Sequence, residues 1–181
     1  MYLSTEEKLI SFGDSRMDVK QAIETKRAVR QYRDEAIPDD VIREILDTAR
    51  WSQSSKNTQP WEFYVITDKE LLSELSQTGD FAKHLPDAAF AIALVGTSDH
   101  YLVGFDLGQV AMSLQLIAHE KGIGSCPISF HRAEDARVLL GIPEGYYVRV
   151  GLTFGYPSPQ HKTAKMGGRK SVEDTTHWNN W

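Results

Sequence analysis

Cysteine is almost absent: Cys126 is the only one in 181 residues, which excludes an intrachain disulfide framework and a cysteine-based zinc cluster. The six histidines make no zinc motif, because His119-Glu120 begins an HExxH pattern but Ile123 stands where the second histidine belongs. Long hydrophobic runs are lacking too. The longest, residues 88–96, is far too short to cross a bilayer. The stretch Met1-Tyr2-Leu3-Ser4-Thr5-Glu6-Glu7 is acidic and has no apolar core of signal-peptide length, so the default expectation is a cytoplasmic protein. Positive charge is outnumbered: 20 Lys and Arg against 25 Asp and Glu leave a net charge of −5. That balance argues against generic nucleic-acid affinity, which needs a Lys/Arg excess to neutralise phosphates, and any anion site must be local. Neither GxGxxG nor GxxxxGK[ST] occurs, so the dinucleotide fingerprint and the P-loop are both missing. No internal repeat or low-complexity segment stands out.

What is present is an ordinary globular composition, 41% hydrophobic and 25% charged, on a length that suits one domain. Against the acidic background, Lys26-Arg27-Ala28-Val29-Arg30-Gln31-Tyr32-Arg33 places four cations in eight residues. The run follows an expected helix at 18–25 and precedes a turn at Ile37-Pro38. Guanidiniums gathered there can converge on one dianion through paired, charge-assisted hydrogen bonds; the alternative is a solvated basic turn.

Periodicity supplies the remaining elements. A helical turn is expected at 6–12. Pro38-Asp39-Asp40 starts a helix, with a proline whose missing N–H costs nothing there and carboxylates at the positive end of the dipole. Polar residues 51–60 form a loop, and 61–67 (WEFYVIT) reads as a strand. A helix at 69–77, an all-apolar central strand at 88–96 and a long helix at 106–121 follow, with Asp106 as its cap. A short strand after Gly122-Ile123-Gly124, a helix at 133–140 and a strand at 146–156 complete the core. The order gives a mixed α/β pattern of four or five strands. The tail, 160–181, has little apolar periodicity yet ends in His177-Trp178-Asn179-Asn180-Trp181. Burial of each tryptophan would contribute on the order of 2–3 kcal/mol, so the tail is expected to dock on a surface.

Four blocks in this order resemble the FMN-dependent nitroreductase family. Lys26-Arg27-Ala28-Val29-Arg30 is similar to the family's RRSxR entry. Ser54-Ser55-Lys56-Asn57-Thr58-Gln59-Pro60-Trp61 is similar to PSxxNxQPW. Asp106-Leu107-Gly108 through Gly122-Ile123-Gly124-Ser125 to Pro127-Ile128 resembles the long dimer helix and its following turn. Gly155-Tyr156-Pro157 followed by Gly168-Arg169-Lys170 resembles the closing GYP and basic pair. The resemblance implies an α+β fold with a mixed sheet of four to five strands flanked by helices. It also implies one domain over 1–181 and an intertwined homodimer whose tail docks on the partner subunit. It implies FMN at the subunit boundary and NADH or NADPH as electron donor. Lys26, Arg27 and Arg169, with Gly168, correspond to the phosphate clamp; Ala28 offers backbone only; Arg30 lies near the flavin N1/O2 edge. Gln53, Ser54, Ser55 and Asn57 would come from the partner. Pro127, Ile128 and Ser129 would lie against the isoalloxazine. No side chain is assigned as a catalytic acid, base or nucleophile, and no metal is implied.

The expected activity is electron transfer from NAD(P)H to nitroaromatics, quinones or similar electron-poor small molecules by a ping-pong flavin mechanism. A flavin-binding store or sensor and a non-flavin interaction domain are the alternatives. Cys126 is read as a small buried hydrophobe, and Trp51 as either a flavin neighbour or a core or interface aromatic. Lys83 and His84 either approach the pyrimidine edge or are ordinary exposed polar residues. A connection of about nine residues, 97–105, leaves no room for a substrate lid, so an open site is expected.

Overall fold

Asp18 opens the first helix, α1 (Val19–Thr25), its carboxylate accepting from the Gln21 N–H at 2.8 Å. Pro38 precedes α2 (Asp39–Ala49), which buries Ile42, Ile45 and Ala49 along one stripe. The polar loop holds a short 3-10 turn (Ser55–Asn57) before β1 (Trp61–Ile66). Asp68 caps α3 (Lys69–Ser76), and the chain then enters β2 (Phe90–Gly96), buried at every position. After α4 (Tyr101–Glu120) come β3 (Gly124–Ser129), α5 (Ala133–Leu139) and β4 (Tyr147–Gly155). This computed structural model describes residues 17–163 and 168–181; the turn expected at 6–12 lies outside the described residues.

The four strands lie in the order β1-β2-β4-β3 with antiparallel ladders. Among the described residues, the one parallel pairing is an isolated bridge from Ala28 to Ser125. Alternation along β2 divides the interior in two. Phe90, Ile92 and Leu94 join Leu152 and Phe154 under α2 and α4, where Phe90 and Phe154 stack at 4.7 Å. Ala91, Ala93 and Val95 point the other way, into a core shared with α3 and α5. The α+β fold with helices on both faces is the expected one.

One boundary differs. The long helix starts at Tyr101, not Asp106, and its cap is His100, whose Nδ1 accepts from the Leu102 N–H at 3.3 Å. A single glycine, Gly104, is tolerable in a helix interior, so nothing in 101–105 stops the helix, and only Thr97 to His100 connect it to β2. Asp106 therefore lies inside the helix with its side chain buried. By length and composition α4 could cross a membrane. Yet Val110, Leu114 and Ala118 pack on the sheet while Tyr101, Phe105 and Met112 face outward, 76%, 66% and 50% exposed.

The basic run is strapped across the ends of β3 and β4. Val29 N–H donates to Ser125 O, Arg33 N–H to Tyr156 O, and Ser158 N–H to Gln31 O, each at 2.9 Å. Two of its residues, Val29 and Tyr32, sink beside Ala88. They fit because Gly124 and Gly155 face each other across the ladder. A Cβ on either glycine would come within 2.7 Å of Val29 or Tyr32 respectively. Tyr32 Oη hydrogen-bonds to Val29 O at 2.6 Å and to Thr153 Oγ1 at 2.7 Å, and burial pushes its phenol well above the ordinary range. Gly155→Ala is expected to destabilise the protein by about 1–3 kcal/mol through overpacking. Denaturant unfolding checks this; an unchanged midpoint would show the strap is not held there.

Candidate functional site

With Val29 and Tyr32 anchored inward, the cations of the strap divide. Lys26, half-buried, hydrogen-bonds through Nζ to Gln115 Oε1 on α4, and burial lowers its pKa against a smaller opposing effect of Cys126. Arg27 is exposed, with Nη1 on its own neighbour's carbonyl, Lys26 O, at 2.7 Å. Arg30 is exposed and lies close to both Cys126 and His84. It shares an open cavity of about 620 Å3 with Ala28, Gln31, Gln160, His161 and Lys162. Lys162 thus joins the strap from the far end of the chain, a contribution the sequence motifs did not single out. Arg169 and Gly168 are exposed, and no polar contact joins Arg169 to the strap among the described residues.

The loop carrying Gln53, Ser54, Ser55 and Asn57 is built on the other end of α4. Buried Asp106 accepts from the Ser55 N–H through Oδ2 at 3.2 Å and from Gln109 Nε2 through Oδ1 at 3.3 Å. Gln109 Nε2 also reaches Gln53 O at 3.4 Å, and Gln59 N–H donates to Ser54 Oγ at 2.9 Å. Lys56, Asn57 and Gln59 all hold positive φ, 53°, 55° and 48°, a conformation that non-glycine residues rarely keep without external support. Meanwhile Thr25 Oγ1 meets His119 Nε2 at 2.9 Å. Nine helical steps separate Asp106 from Gln115, the α4 partner of Lys26 in the strap, about 14 Å at 1.5 Å per residue. Within one chain, then, the amide-and-hydroxyl loop and the cationic strap are anchored far apart.

Along β3 the side chains alternate. Pro127 and Ser129 face outward, whereas Ile128 points into the α3/α5 core, so Ile128 can offer a ligand only its backbone. Cys126 is buried, and burial raises its pKa, opposed by Arg30 and Lys26. It is the small buried hydrophobe expected. His84 is not an exposed polar residue: it is 7% exposed, and its Nε2 has no partner. Ser125 Oγ, next to the Ala28 bridge, is likewise buried and unpartnered. Lys83 stays exposed. Trp51 is 76% exposed, with Arg50 over its ring, so it belongs to no core of this chain. In the tail, His177 and Trp181 stack at 4.2 Å while Trp178 and Trp181 remain 80% and 100% exposed. The tail does not bury its tryptophans on its own subunit.

Burial lowers the pKa of His84 from the ordinary 6.5, with Arg30 adding to the effect. His119 shifts the same way through burial, then Lys26 and Arg27.

Comparisons with known proteins agree with this architecture. The model of the nitroreductase family matches residues 23–95 and 82–156, ending before the basic pair Arg169-Lys170. A relative from Archaeoglobus fulgidus with the provisional name NADH dehydrogenase/NAD(P)H nitroreductase is 31% identical over 168 residues, 88% of this chain and 96% of its own length. One from Methanothermobacter thermautotrophicus, with the same provisional name, is 30% identical over 84% of each chain. Among solved structures, an FMN-dependent nitroreductase from Clostridium difficile aligns at 28% identity with a TM-score of 0.79, covering 88% of this chain and 98% of that one.

A histidine held neutral in the fold stabilises it at pH above its unfolded value and loses that contribution as pH falls, because the unfolded chain then binds the proton the native state refuses. The melting temperature should therefore drop between about pH 7.5 and about pH 5.5, and His84→Gln should flatten that dependence. Melts of both proteins at the two pH values check it; an equal slope would mean His84 is not the group responsible.

Proposed function

Because the chain belongs to the nitroreductase family, we propose that it is an oxidoreductase that holds FMN against the cationic strap. It passes electrons from NADH or NADPH to nitroaromatics, quinones or similar electron-poor small molecules. The observation that carries the reading is the meeting of Arg30 with Lys162 in a cavity of about 620 Å3. Two buried polar atoms are without partners, Ser125 Oγ at the Ala28 bridge and His84 Nε2 on the segment that packs on the strap through Ala88. Buried polar atoms left bare in a native fold are costly, and a ligand rich in donors and acceptors would relieve that cost. The residues present suit FMN.

FMN's phosphate is close to a dianion at neutral pH and is best met by several N–H donors. Arg27 and Arg169 supply forks, Lys26 and Lys162 supply point charges, and Gly168 and Ala28 supply backbone. Lys26 must share its ammonium with Gln115, so it contributes less than the motif alone suggests. Pro127 and Ser129, facing outward from β3, and the backbone at Ile128 would line the ring. When bound, the flavin supplies the redox chemistry, taking a hydride from the nicotinamide and reducing the acceptor. Arg30, a fixed cation at the ring edge, favours the negative charge that reduction brings. The chain needs no acid, base or nucleophile of its own. With only Thr97 to His100 between β2 and α4, no lid covers the cleft there, so donor and acceptor take turns at one open face.

Completion of the site calls for a second copy. Gln53, Ser54, Ser55 and Asn57 are anchored at Asp106, about 14 Å along α4 from Gln115, which holds Lys26 of the strap, and serve a neighbouring subunit's site better than their own. The outward aromatics of α4, exposed Val19 and Ile23 on α1, and the bare tail tryptophans provide the apolar area a homodimer would bury. The tail docks on that partner. A small-molecule enzyme without nucleic-acid or membrane partners, working in the cytoplasm, fits this reading.

The purified protein should show a visible flavin band that NADH or NADPH bleaches without oxygen. A colourless protein overturns the proposal, and a band that persists would favour a binding role. Arg30→Ala combined with Lys162→Ala should weaken FMN binding about 10- to 100-fold, the loss expected for charge-assisted contacts. Unchanged affinity in a titration of the apoprotein would sink the assignment of the cleft.

A further inference from the structure

The segment between α3 and β2 is short of regular structure but firmly held. Arg132 donates from Nε and Nη2 to Gln77 O at 2.9 and 2.6 Å and from Nη1 to Asp80 Oδ1 at 2.8 Å. Its own N–H donates to Thr78 O at 2.9 Å. Asp80 N–H donates to His131 Nδ1 at 3.1 Å. Gly79 lies so close to the end of β3 that a Cβ there would be 2.5 Å from Ser129 O. Farther along, Ala82, His84 and Leu85 are buried, and Ala88 packs on Val29 and Tyr32 of the strap. The loop is thus tied at one end to the strand proposed to line the flavin ring and at the other to the cationic strap.

Phe81 projects from the tip of this loop, 82% exposed, with its ring edge-on to His131 at 5.8 Å between centroids and 64° between planes. A phenyl ring on a mobile loop would lose entropy on meeting a ligand; one on a braced loop does not, and a rigid ring favours flat partners through offset or edge-to-face contact. We infer that Phe81, supported by His131, forms an aromatic wall at the open side of the cofactor cleft. There it selects planar aromatic molecules and quinones over non-planar electron acceptors. The inference rests on the flavin reading above and adds a substrate-selecting residue to it.

The test uses the protein as purified with its flavin. Benzamide, a flat aromatic probe, is titrated by calorimetry, and kcat/KM is compared for a benzoquinone and for octahedral ferricyanide. Phe81→Ala should retain the wild-type flavin content, weaken benzamide about five- to tenfold and lower the quinone-to-ferricyanide ratio by a similar factor, and Phe81→Tyr should restore both to within about twofold. Equal benzamide affinity and an equal ratio in Phe81→Ala overturn the wall while leaving the flavin reading intact. Loss of flavin from Phe81→Ala overturns it as well, since the ring would then serve the cofactor. A wild-type protein without flavin overturns the wall together with the reading beneath it.

Discussion

The close approach of a basic strand to two glycines governs the rest of this structure. Gly124 and Gly155 leave a gap across the β3–β4 ladder, and Val29 and Tyr32 fill it. The strap's backbone donates to Ser125 O and Tyr156 O and accepts from the Ser158 N–H, which fixes its register. The anchors are apolar or neutral, so the guanidiniums of Arg27 and Arg30 are not consumed in holding the strap. That division of labour lets a protein of net charge −5 gather exposed positive charge at one place. Tyr32 suits the role because its ring packs on glycine while its hydroxyl is fully satisfied inside, by Val29 O and Thr153 Oγ1.

The second constraint is the length of α4. One helix of 20 residues supports the amide loop at Asp106 and holds Lys26 of the strap at Gln115. Nine residues of rigid helix, about 14 Å, keep those two sets of polar groups apart in any single chain. The same helix packs one side on the sheet and leaves a large apolar side outside, which is the surface a second copy would cover. Asp106 belongs to this arrangement: its buried carboxylate holds a loop in which three non-glycine residues sit at positive φ. Strain of that kind persists only where surrounding contacts over-determine it.

Much of the fold was legible in residue patterns. The aromatic and β-branched run of β1, the unbroken apolar run of β2, proline before α2, and aspartates before α1 and α3 each act through local physics, and the structure follows them within a residue or two. Asp106 misled because an aspartate before an apolar helical stripe is an ordinary cap signal; here a tertiary contact with Ser55 claims the carboxylate and His100 does the capping. Ile128 was read with its neighbours as lining the ring, but strand alternation turns it into the core. Lys162 carried no local signal at all. It matters only because the chain after β4 doubles back on Gln31, where Ser158 N–H is bound.

By itself the sequence determined the elements, the family and the presence of a concentrated cationic run, because helix caps, strand alternation and short motifs are read over a few residues. Tertiary structure alone decided which cations share a cavity, which are drawn off to neighbours such as Gln115, and that His84 lies buried with a bare nitrogen. Those outcomes depend on contacts between residues far apart in the chain, whose geometry is set by how sheet and helices pack and not by the order of the residues.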